Sequence, residues 1–207
     1  AVEDAVHAHQ RPKVERYDDT LFLVLKTVNY VPHESVELAR EIVETGEIMV
    51  FVGRDFVVTV RHGDHTGLAG VRHDLEAEHA QLALGPYAVM HAIADHIVDS
   101  YRWVAEAMDA DIDAIEEATF SPHSKTDIEP IYLLKREVVE LRRAVWPLTD
   151  ALGRMQTDYK DLLPNLYDIL GMQMPKGGIL ANKDTKMWAV FIPVLWQYSP
   201  TSLAKAM

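Results

Sequence analysis

Six carboxylates crowd one stretch of the chain: Glu106, Asp109, Asp111, Asp113, Glu116 and Glu117. Carboxylate oxygens are hard ligands, so such a cluster suits Mg2+ or Ca2+, and Mg2+ often keeps its waters and binds through one or two acids. Charge pairing is the competing use of the same residues. If the turn that follows centres near His123, antiparallel pairing puts Lys135 and Arg136 opposite Asp111 and Ile112, and salt bridges across the hairpin then account for several of the acids. Ten histidines raise the further possibility of a transition-metal site. His62 and His65, like His7 and His9, are loop pairs without a clear third ligand. His91 and His96, five apart, leave a helix on different sides. Surface histidines are the plainer reading.

Other chemistries find no residues to carry them. There are no cysteines, which removes disulfides and thiolate metal sites. No GxSxG, HExxH, Walker loop or GxGxxG occurs, so the chain is not expected to be an enzyme. A net charge of -12 argues against nucleic acid as the main partner, because phosphate binding takes a surplus of Lys and Arg. The longest apolar candidate for a membrane span, Met187 to Trp196, falls far short of about twenty residues and contains Pro193. Ala1 to Gln10 carries Glu3, Asp4 and two histidines where a signal peptide needs an apolar run, and the chain opens in the middle of a motif, as a piece of a longer protein does.

The carboxylates need a frame, and periodicity supplies one. Met90, Ile93, Ile97, Tyr101, Val104, Met108, Ile112 and Ile115 alternate by three and four, which predicts one helix from Pro86 to Phe120, about fifty ångström long at 1.5 Å per residue. The most periodic stretch follows. Over Asp127 to Arg143 and just beyond, Ile131, Leu134, Val138, Leu141, Val145 and Leu148 form one stripe, with Thr126 or Asp127 as cap and Pro130 in the first turn. Two such helices joined by the short turn from Ser121 to Thr126 should lie antiparallel, stripe against stripe.

Upstream, the pattern changes to that of a sheet. Leu21 to Val31, LFLVLKTVNYV, reads as a buried strand. Ile48 to Val52 and Phe56 to Arg61 read as a hairpin around Gly53-Arg54-Asp55. Ala1 to Arg16 reads as a short helix and a turn, Val36 to Thr45 is ambiguous, and Gly67 to Leu84 carries a helical period that Gly85-Pro86 breaks. The fold class is therefore α+β, a mixed and mostly antiparallel sheet flanked by helices with a long two-helix arm. Residues 1–85 hold the sheet, 86–163 the arm, and 164–207 form a tail without an assigned fold.

Four ordered motifs give the chain a resemblance: HQRPKVE at His9 to Glu15, the strand DTLFLVLKTVNY, DADIDAIEEATF at Asp109 to Phe120, and YLLKREVVELRRAVWPL at Tyr132 to Leu148. In these it resembles the cytoplasmic part of the CorA family of magnesium and cobalt transport proteins. The resemblance implies a homopentameric channel of the inner membrane, this part lying on the cytoplasmic side, with regulatory divalent ions, Mg2+ or Co2+, between neighbouring domains. It implies three metal-binding residues: Glu3 and Asp4, matching the acidic pair before the HQRPK motif, and Asp95 in the ADHIVD stretch on the first arm helix. It also implies further parts that this sequence does not carry, namely upstream strands, a stalk helix after Leu163, membrane helices, and a Gly-Met-Asn motif for which Gly171-Met172-Gln173 is no substitute; this piece by itself would sense or assemble and not conduct. A zinc-transporting relative shares these motifs. From a different class, a helical-hairpin module binding proteins through an exposed apolar stripe is the alternative.

Overall fold

The computed structural model describes residues 10–65, 67–121, 128–159 and 162. Four strands, β1 (Lys13–Tyr17), β2 (Thr20–Tyr30), β3 (Val43–Val52) and β4 (Val57–His62), follow one another as an antiparallel meander in the order β1-β2-β3-β4. In register, Leu21, Leu23 and Leu25 stand opposite Val52, Val50 and Ile48, with Val14 opposite Leu23. These side chains form one face, all 3% exposed or less and continuous with the helical core. The alternate residues Phe22, Val24 and Met49 form a smaller cluster on the other face, with Phe51 and Val60 packed against it. Both faces of β2 are thus buried over Leu21–Leu25, which is why that part of its sequence is an unbroken apolar run and not an alternation. Each such side chain contributes roughly 1.5–3 kcal/mol when fully buried.

Of the short helix and turn expected over Ala1 to Arg16, residues 1–9 lie outside the described residues, and the end of the stretch is strand β1 in place of a turn. Its five residues carry three charges and no periodicity of their own. Pairing with β2 makes it a strand, through a two-residue turn in which Asp18 takes φ 52, a left-handed conformation that Asp tolerates better than most residues. The ambiguous stretch from Val36 to Thr45 divides into a loop with Val36 buried and the start of β3, the Val31 N–H donating to the Ile42 carbonyl at 2.8 Å where the loop closes. The hairpin between β3 and β4 forms where its sequence places it.

The helical period of residues 67–84 becomes two pieces, α1 (Ala69–Ala77) and α2 (His79–Leu82), because Glu78 leaves helical geometry at ψ 68. Gly85, at φ 94, supplies the turn that Pro86 then fixes as the first residue of α3 (Pro86–Phe120). The seam of α3 is buried from Met90 to Met108, but it lies mainly on β2 and only secondarily on the next helix. The stripe-against-stripe hairpin is corrected in this respect: a sheet face of Leu and Val offers more apolar surface than a single helical stripe. The second stripe is divided as well. α4 (Glu129–Val145) ends at Trp146-Pro147, a proline with no N–H to continue the ladder, and α5 (Leu148–Thr157) turns to pack on β1. Leu134, Leu141, Val145 and Leu148 are buried, whereas Ile131 is 43% exposed. Ile128 occupies the N-cap of α4 with no side-chain cap bond, and the expected caps Thr126 and Asp127, the turn residues 122–126 and the tail 164–207 lie outside the described residues.

Candidate functional site

The acidic stretch of α3 is split by the helix itself. Asp109, Asp113, Glu116 and Glu117 are exposed, as is Glu106, which lies 3.7 Å from Arg102. Asp111 turns inward and is 9% exposed. Its two oxygens each accept from the Tyr30 hydroxyl at 3.0 Å, and His33 Nε2 lies 3.2 Å from Oδ1. His33 Nδ1 reaches the Val31 carbonyl at 2.9 Å, and Trp103 meets the Tyr30 ring edge-on at 6.0 Å. Asp111 thereby ties the end of β2 and the loop after it to the long helix.

The cross-hairpin salt bridges are overturned by this arrangement. Asp111 is engaged by Tyr30 and His33, while Arg136 turns the other way, its Nη2 2.9 Å from Glu137 Oε1 and 3.2 Å from the Arg40 carbonyl. Glu137 is 1% exposed, and its Oε2 accepts from the backbone N–H groups of Ile42 and Val43 at 3.1 and 3.0 Å. β4 pairs β3 only from Glu47 onward, so β4 leaves the first residues of β3 uncovered. Glu137 completes that edge from the side of α4. One signal in the sequence marks it: a charge three residues after Leu134 and four before Leu141, inside the apolar stripe.

Burial first, then the hydrogen bond to the Asp111 carboxylate and its charge, hold the Tyr30 phenol up at about 12. Burial alone pushes up Tyr101, whose hydroxyl donates to the Lys26 carbonyl. A phenol whose folded pKa exceeds its unfolded one near 10 stabilises fully below pH 10, and the stabilisation is lost as pH rises through about 12. Alkaline difference spectroscopy is accordingly expected to show these two phenols ionising only together with unfolding, and Tyr30→Phe is expected to shift the alkaline unfolding midpoint upward relative to neutral-pH stability. A phenol titrating freely near pH 10 before any loss of fold, beyond those on the surface, would contradict this.

Asp95 is half-buried on α3, four residues after His91 and therefore on the same side of the helix. Burial lowers the His91 pKa, and Asp95 partly opposes this by raising it. His96 is exposed, and His65 Nδ1 stands 3.7 Å from Glu44 Oε2. Among the described residues no three His, Asp or Glu side chains stand close enough to hold a metal ion within one copy of the chain. Glu3 and Asp4, as well as His7 and His9, lie outside the described residues, so the acidic trio is represented here by Asp95 alone. Its carboxylate is the right donor type for a hydrated Mg2+.

A four-stranded antiparallel meander carrying one very long helix, with acids along that helix and no helix among the described residues long and apolar enough to cross a membrane, defines an α+β domain of the kind found in CorA soluble domains. The chain belongs to the CorA-like Mg2+ transporter family, whose sequence profile it matches over residues 1–170. It is 31% identical over 180 residues to the putative metal ion transporter YfjQ of Bacillus subtilis, covering 82% of this chain and 53% of that protein. It is 27% identical over 166 residues to the cobalt/magnesium transport protein CorA of Thermotoga maritima, covering 78% of this chain and 45% of that one. The chain thus spans about half the length of these relatives. The soluble domain of CorA from Methanocaldococcus jannaschii has a similar fold, with TM-score 0.57 at 14% identity over 95% of this chain and 69% of that one.

Proposed function

We propose that this chain is the cytoplasmic part of a CorA-type divalent-cation transporter of the cell membrane, and that it senses Mg2+ without carrying out catalysis. In this reading Glu3, Asp4 and Asp95 bind a hydrated Mg2+, for which Co2+ can substitute, where neighbouring copies of a homopentamer meet. Family membership over residues 1–170 is the observation that carries it. Its further support is the cobalt and magnesium transport activity in the name of the Thermotoga relative, and the solvent-reaching position of Asp95 on α3. Carboxylates from two chains around a hydrated ion give a weak affinity that follows the ion's concentration, and they couple occupancy to subunit contact. The exposed acids Asp109, Asp113, Glu116 and Glu117 add a negative field that draws cations to the same helix.

Calorimetry and light scattering on the intact chain test the reading, with the full-length transporter as control. Millimolar Mg2+ is expected to give saturable heat and to raise the scattering mass, and Asp95→Ala to weaken the apparent affinity by about fivefold or more. If the control responds while the chain shows neither heat nor association, the sensor does not reside in these residues.

A further inference from the structure

The basic flank of α4 faces a groove. Lys135, Arg136 and Arg143 line it together with Tyr132 of the same helix, Lys26 of β2 and Thr45 of β3. The cavity measures about 690 Å3, within the roughly 300–1,000 Å3 typical of small-molecule sites. Four cations against a single lining carboxylate, Glu140, is an unusual concentration in a chain whose net charge is -12. Glu140 Oε1 is already within 3.3 Å of the Thr45 hydroxyl. Lys26 and Arg136 are already ion-paired to carboxylates outside the lining, at 2.7 Å from Glu47 Oε2 and 2.9 Å from Glu137 Oε1. Lys135 and Arg143 form no ion pair among the described residues, and both are exposed.

This composition recognises phosphate. Arginine forks match phosphate oxygens in pairs, lysines supply point charges, and an aromatic ring beside them gives a planar group a surface to lie on. Tyr132, 65% exposed at the groove, is such a ring, and Val139 adds apolar lining beside it. We propose that the groove binds a soluble organic polyphosphate, by class a nucleoside di- or triphosphate. Its phosphates lie among Lys26, Lys135, Arg136 and Arg143, and its base lies against Tyr132. Such a ligand bridges α4 to β2 and β3, near the start of β3 that Glu137 holds. The inference uses none of the residues assigned to Mg2+ and stands apart from that reading.

The test titrates ATP into the full chain at low salt in EDTA, followed by calorimetry and by thermal unfolding. Pyrophosphate, inorganic phosphate and phosphoinositide-bearing vesicles serve as parallel arms. The expected result is saturable ATP binding, one per chain, which raises the unfolding temperature and weakens as salt is added. The double substitution Lys135→Ala/Arg143→Ala, at exposed positions where the fold is retained, is expected to weaken ATP by about tenfold or more. Tyr132→Ala is expected to weaken ATP while leaving pyrophosphate unchanged. The proposal is overturned by ATP affinity that the double variant keeps, by the absence of saturable ATP heat, or by binding to vesicles alone. An unchanged unfolding midpoint of the unliganded double variant secures the comparison.

Discussion

Glu137→Ala is expected to lower the free energy of unfolding by about 3–5 kcal/mol, measured by urea denaturation at neutral pH. The carboxylate is 1% exposed, and its removal leaves the Ile42 and Val43 N–H groups without an acceptor at an edge that β4 is too short to cover. It also strips the Arg136 guanidinium of its partner at 2.9 Å, although that group, being 62% exposed, can turn to water. Most of the loss therefore comes from the two amides. Glu137→Gln keeps an acceptor oxygen and should cost less, about 1–2 kcal/mol. If Glu137→Ala unfolded within about 0.5 kcal/mol of the parent, as substitutions on an open surface do, the edge of β3 would have to be satisfied by something other than α4.

Glu137 also shows where sequence reasoning reaches its limit. The long helix from Pro86 to Phe120 and the β3–β4 hairpin are legible because their periods are local: three and four for the helix, two apolar runs around Gly53-Arg54-Asp55 for the hairpin. Strand β1 is not, since Lys13, Glu15 and Arg16 become strand only by pairing with β2. Which surface the seam of α3 covers is equally illegible, because a stripe records that it is buried and not against what. The charges illustrate this most clearly. Spacing alone set Lys135 and Arg136 against Asp111, but packing on the sheet turns Asp111 toward Tyr30 and His33 and Arg136 toward Glu137 and the Arg40 carbonyl. The family resemblance rests on motifs in linear order and is insensitive to such packing, so it held while the pairing did not. Of the acids assigned to metal, their type could be read in advance, whereas the inward turn of Asp111 depended on Tyr30, eighty-one positions away.

That turn can be measured. Asp111→Ala is expected to destabilise the chain by about 2–3 kcal/mol, because a half-buried hydroxyl and an imidazole lose the oxygens they face. Asp113→Ala, two residues on and exposed, should stay within about 0.5 kcal/mol of the parent. A double-mutant cycle with Tyr30→Phe separates the bond from the rest of the site and is expected to return a coupling of about 1 kcal/mol or more, since the two hydrogen bonds at 3.0 Å end on one hydroxyl. The same pair of variants distinguishes a structural acid from a metal-binding one. If Asp111 served mainly as an ion ligand, its alanine variant would match Asp113→Ala in EDTA and fall behind it only when Mg2+ was added. The geometry calls for the opposite order, a deficit present in full without metal, because Tyr30 and His33 already occupy the carboxylate that an ion would need.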